Sequence, residues 1–198
     1  MKERIALIHV YQLREAFDGS IQPSKRGLIQ ACAAYELARR GEIDTIFIAG
    51  GNVWGEEYPP FSRVLAEQMQ QIGVRVPINA VSSAMDTPQE IDEYLKMTAD
   101  KPNSQYIFIA NRTHLDRIKD RVASRGIANA EFIAAEDVLK ELPYFKKFIE
   151  EFERSEIENK FKKREARVRF VYRLGLEKFF TFIAKKGRKR RFSVDFDE

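Results

Sequence analysis

One cysteine, one tryptophan and two histidines are all that this chain of 198 residues contains of those types, and each scarcity excludes something. A lone cysteine, Cys32, rules out an internal disulfide framework and a cysteine-based zinc site. It stands among alanines in ACAAYELA, the setting of a small buried hydrophobe rather than a reactive thiol. No window reaches the roughly 18 uncharged apolar residues of a membrane-spanning helix. The N-terminal MKERIALIHV starts like a signal peptide, but its apolar run is short and no small-residue cleavage site follows. The expectation is a cytoplasmic protein, if membrane-associated then only peripherally at the inner membrane. A Walker loop, a Gly-x-Ser-x-Gly elbow and metal-ligand spacing are also missing, so no metal site is expected.

What is present is unevenly charged. Residues 154–191 hold 15 Lys/Arg against 4 Asp/Glu, a charge of +11, in a chain whose net charge is only +4. The last seven residues add −3, which leaves −4 for residues 1–153. The basic character therefore belongs to the C-terminal segment alone.

Before that segment, β-rich apolar runs alternate with amphipathic helical stretches, the pattern of βαβ units on a parallel sheet. Strands are expected at 4–10, 44–50, 74–80, 105–111 and 130–135. Helices are expected at 23–40, 61–72, from 86 or 87, at 113–124 and from 136, with Pro143 splitting the last. Asp86 or Thr87 caps the third helix, and Glu90, three residues after Thr87, suits a capping box. The expected fold is α/β, a Rossmann-like three-layer sandwich with a mostly parallel sheet of about five strands. Residues 1–152 form this domain, and 153–198 form a basic helical extension rich in Phe, Tyr, Lys and Arg.

Ligands of such sheets bind beyond the carboxyl ends of the strands. There the first strand ends in His9, Tyr11 and Arg14, the second in Gly50, Gly51 and Asn52, and the fourth in Asn111, Arg112, Thr113 and His114. Both histidines of the chain thus fall on one rim. Gly50 and Gly51 would let the backbone approach a ligand and turn its N–H groups toward an anion. Arg112 and His114, in the first turn of a helix, are cations at a helix start and call for something negative nearby. His114, with an unperturbed pKa near ~6.5, is the expected catalytic acid or base. Trp54 and Tyr58 could stack on a planar ring or anchor their loop.

Four stretches resemble the YdcF-like/SanA-like family of bacterial α/β domains. Arg26 precedes GLIQACAAYELARRG as an arginine opens the family's first long helix. IFIAGG is similar to a strand ending in Ser-Gly-Gly, with Ala49 in place of the serine. QMQQIGV and MDTPQE resemble the next helix and its threonine-bearing cap, with Thr87 kept, Ala84 at a serine position and Glu90 at an asparagine position. IFIANRTHLDR is similar to the closing strand and its His-Leu-x-Arg motif, in which Arg117 follows His114 by one turn. Glycines usual after the first strand are replaced by His9, Val10 and Tyr11, and Ser62 is followed by Arg63 rather than glutamate. The likeness covers about three quarters of the chain. It implies a Rossmann-type fold, a site holding Arg26, Gly50, Gly51, Thr87, His114 and Arg117, S-adenosylmethionine as a candidate cofactor, and a link to envelope biogenesis.

Two functions compete. In one, Arg26, Arg112 and Arg117 hold a small anionic or nucleotide-like ligand, with His9, Asn52, Thr87 and Asn111 around it, and His114 moves a proton in hydrolysis or group transfer. In the other, the domain is a docking module whose basic aromatic tail meets an anionic membrane surface, nucleic acid or a second copy of the chain through a homodimeric C-terminal helix.

Overall fold

The computed structural model describes residues 2–9, 13–52 and 55–173. Its strands are β1 (Arg4–His9), β2 (Leu13–Glu15), β3 (Ile21–Pro23), β4 (Thr45–Ala49), β5 (Ile78–Val81), β6 (Gln105–Ala110) and β7 (Ala130–Ala134). Its helices are α1 (Lys25–Arg39), α2 (Phe61–Gln71), α3 (Thr87–Met97), α4 (Arg112–Ala123), α5 (Ala135–Lys140), α6 (Pro143–Arg154) and α7 (Glu156–Arg173). Five strands form one sheet in the order β5-β4-β1-β6-β7, and every pairing in it is parallel.

Alternation along the central strands explains why both faces are covered. Ile5, Leu7, Phe47, Ala49, Phe108 and Ala110 enter one core, against Ile91 and Tyr94 of α3 and Leu115 and Ile118 of α4. Ala6, Ile8, Ile46, Ile48, Ile107 and Ile109 enter the other, against α1, α2, α5 and α6. Successive side chains on a strand point to opposite faces, so an uninterrupted apolar run suits a strand sandwiched between helices. The result is the expected three-layer Rossmann-like arrangement.

The strand order reverses direction at β1. The chain winds outward from β1 through β4 to β5, then crosses back to β6 and on to β7. Crossovers diverge to opposite faces between β1 and β6, which places the crevice at the carboxyl ends of those two strands. His9 ends β1, and Asn111 directly follows β6.

Several boundaries move for physical reasons. Pro23 closes a small antiparallel hairpin, β2–β3, and the first long helix begins after it, capped by Ser24, whose hydroxyl accepts from Gly27 N. Asp86 caps α3 by accepting from Gln89 N, so Thr87 is the first helical residue and not the cap. Glu90 makes no capping box; its carboxylate reaches His9 instead. Pro143 starts α6 as expected of a proline at a first helical position, and α6 continues across residue 152 to Arg154.

Candidate functional site

His9 continues the Ile5, Leu7 alternation and so points toward α3 and α4 rather than α1. It is 1% exposed. Its Nδ1 lies 2.7 Å from Glu90 Oε2, one turn into α3. In the neutral ring Nδ1–H donates to the carboxylate and Nε2 carries the lone pair. Among the described residues that buried Nε2 has no hydrogen-bond partner. The His9 ring stacks at 6.1 Å on Phe108 and meets the edge of His114 at 5.9 Å. The two histidines expected on one rim are therefore in contact.

His114, in the first turn of α4, is 3% exposed. Arg117, one turn on, sends Nη2 to within 2.9 Å of His114 Nδ1. Glu165 Oε1 stands 3.3 Å from the same nitrogen. The shorter contact assigns Nδ1 as acceptor from Arg117, which leaves the proton on Nε2, 3.4 Å from Thr87 Oγ1. Burial first, then the Arg117 charge, push His114 down to about 3, so its ring is neutral near pH 7. The ordinary imidazole value expected from the sequence does not apply to the closed site.

Arg26 opens α1 on the other face of the sheet and is 3% exposed. Its guanidinium donates to Thr113 Oγ1 at 3.1 Å, to Glu158, and lies 4.0 Å from the centre of the Phe161 ring. Arg117 in turn pairs with Glu165 at 3.0 Å. Glu158 and Glu165 are 2% and 4% exposed, and both belong to α7. Helix α7 thus lies over the strand ends, from Arg26 of α1 to Arg117 of α4, and brings a carboxylate to each.

The remaining expected residues have structural work. Gly50 N–H donates to Val81 O and Gly51 N–H to Ala84 O, so neither amide faces an anion. Gly51 is needed for another reason: a Cβ there would lie 2.5 Å from Ser82 O and 2.9 Å from Met85 Sδ. Asn52 Nδ2 ties its loop to Tyr58 O. Asn111 is fully buried, accepting from Gln30 Nε2 at 2.7 Å and donating to Glu136 Oε1 at 3.0 Å. Arg112 turns away to Asp137 and, at 3.8 Å, to Glu153; its backbone N–H also donates to Glu136. The negative charge expected at this helix start is thus supplied to Arg112 from within the chain, and the neutral His114 requires none. Arg14 bonds Gln22 across the hairpin. Val10, Tyr11 and Trp54 lie outside the described residues, as does the tail beyond Arg173.

The buried acids Glu90, Glu136, Glu158 and Glu165 were not among the residues expected at the site. For two of them a signal exists in the sequence. Glu158 and Glu165 are the only acids between residues 157 and 176, seven residues apart and so on one helical face.

Among the described residues, no three His, Cys, Asp or Glu side chains are grouped to hold a metal ion. No described helix is long and apolar enough to cross a membrane. A shallow, open depression at the opposite rim, lined by Lys2, Glu3, Lys101 and Ser104, shares no residue with this cluster. No family model, no curated protein and no solved structure matches the chain.

Proposed function

We propose that this domain binds a small anionic, phosphate-containing or nucleotide-like molecule at the carboxyl ends of β1 and β6 and acts on it as a hydrolase or transferase. The observation that carries the reading is that Arg26, His114 and Arg117 all meet one helix, α7, where Arg26 and Arg117 are each matched to a carboxylate. A buried guanidinium such as that of Arg26 is costly unless paired, so a site built on it and on the partly buried Arg117 is a site for negative charge. The likeness to YdcF-like domains, resting on Arg26, Thr87, His114 and Arg117, points to the same rim and keeps S-adenosylmethionine among the candidate ligands.

Within this reading the two histidines divide the labour. Glu90 orients His9, and its bare Nε2 is the atom that takes a proton from an attacking hydroxyl or water. His114, neutral and hydrogen-bonded to Thr87, orients the ligand together with Arg117.

Native mass spectrometry of freshly purified protein, followed by a thermal-shift panel of nucleotides, sugar phosphates and S-adenosylmethionine, tests the proposal. A bound ligand raises the melting temperature in proportion to its concentration over Kd. The expected result is a stabilising phosphate compound whose effect disappears in Arg117→Met; a panel without any stabilising compound contradicts it.

A second reading rests on the outer face of α7, where Lys160, Lys162, Lys163, Arg164 and Arg167 are exposed. Such a face suits an anionic membrane surface. Full-length protein should then co-sediment with phosphatidylserine vesicles, and changing these five residues to glutamate should release it. Equal sedimentation of both proteins removes this reading; a second copy of the chain or nucleic acid would then be the partner left for the tail.

A further inference from the structure

We infer that helix α7 is an intramolecular occupant of the anion site, with Glu158 and Glu165 standing where two anionic groups of the ligand bind. The inference rests on the anion-site reading above and adds both its regulation and the shape of its ligand.

Charge on α7 is sorted by face. Its exposed side carries Lys160, Lys162, Lys163, Arg164 and Arg167, while its two buried acids face the domain. A helix serving only to cover apolar surface would present a stripe of aliphatic residues. Here the covering side sets Glu158 and Glu165 among half-buried Phe161 and Val168, and one acid ends on the buried Arg26, the other on the partly buried Arg117. Buried ion pairs rarely stabilise more than an apolar contact of equal size, so their presence calls for a role other than stability.

Position points the same way. The arginines belong to α1 and α4, on opposite faces of the sheet, and flank the point where the strand order reverses. That point is where open α/β sheets take their ligands. In the closed arrangement His9, His114 and Arg26 are all nearly inaccessible, so a ligand reaches them only when α7 lifts.

The spacing of the two acids sets a size. Glu158 and Glu165 are separated by two helical turns, about 10 Å along the axis. A ligand replacing both carboxylates carries two anionic groups set well apart, unlike inorganic phosphate or a compact pyrophosphate. An elongated bisphosphate, or a nucleotide with a second anionic end, has the required form. The ligand and α7 then compete for the same two guanidinium groups, and the apparent affinity falls by the fraction of time the site is open.

The test is calorimetric titration of the full-length chain with fructose 1,6-bisphosphate, and separately with inorganic phosphate. Glu158→Gln/Glu165→Gln should bind the bisphosphate about tenfold or more tightly than the unaltered protein, and inorganic phosphate should benefit less. Equal affinity in both proteins overturns the occupancy of α7 while leaving the anion site standing. No binding of either probe to either protein overturns the site and the occupancy together. Should the double variant fail to fold, hydrogen exchange on the unaltered chain decides the matter. Faster exchange in residues 156–170 on adding the bisphosphate supports displacement; unchanged α7 protection, with slowed exchange elsewhere on the rim, contradicts it.

Discussion

His114 is buried between a guanidinium and a carboxylate, and that setting has a measurable consequence. Its pKa is about 3 when folded, against an ordinary 6.5. Between those values the unfolded chain binds a proton that the folded chain refuses, so stability rises with pH through this window and is lost on acidification. Glu36, held down to about 2 first by its hydrogen bond from Arg39, joins in only below its ordinary 4.5. From pH 7 to about 5 the loss belongs to His114 and is opposed by Glu136, whose carboxyl pKa is raised by burial and which therefore takes its proton earlier in the folded chain. Urea unfolding across that range should show the His114→Gln variant, which can still accept from Arg117 and donate to Thr87, losing less stability on acidification than the unaltered protein. Parallel pH profiles would remove His114 as the cause. That both histidines share one rim was legible from their places after the first and fourth strands. Its neutral state was not, because it follows first from burial, which the local sequence does not show, and then from the Arg117 charge, with Glu165 of α7 opposing both.

At the scale of elements, the sheet was legible because each central strand is a short apolar run bounded by turn residues, and all five expected strands exist. The hairpin β2–β3 was not, since three-residue strands leave no periodicity to read. Glu90 shows how one local pattern serves two ends: its spacing from Thr87 suits a capping box, but Asp86 supplies the cap and frees Glu90 for His9. Helix α7 was legible as a helix, and its basic composition drew attention to the face that points outward. The inward face carries a prediction of its own. Arg26→Met leaves the Glu158 carboxylate buried beside apolar neighbours, and loss of one partner of a buried pair costs about 3–5 kcal/mol. Arg26→Met/Glu158→Leu should recover most of that loss, as read from denaturant midpoints. A cost below about 1 kcal/mol for the single variant would mean that Glu158 gains water without its arginine, and that α7 is held elsewhere.

Seen as a whole molecule, the chain joins an acidic domain to a basic C-terminal segment, and helix α7 covers the rim where the domain's arginines gather. The two rims of the sheet offer different surfaces. At the amino ends of the strands lies a shallow depression bounded by Lys2, Glu3 and Lys101, in which Glu3 Oε1 already accepts from Lys101 at 2.9 Å. At the carboxyl ends lie the two histidines, Arg26 and Arg117 beneath α7. The central claim is that an anionic ligand chooses the second rim. A titration of the full-length, ¹⁵N-labelled protein with adenosine monophosphate and with fructose 1,6-bisphosphate, followed by amide shifts, tests it most directly because it also registers weak binding to a covered site. The account predicts that the largest shifts fall at Thr87, Thr113, His114 and Arg117, with Glu158 and Glu165 moving alongside them. Shifts gathered instead at Lys2, Glu3 and residues 101–104, with the histidine rim silent, would contradict it.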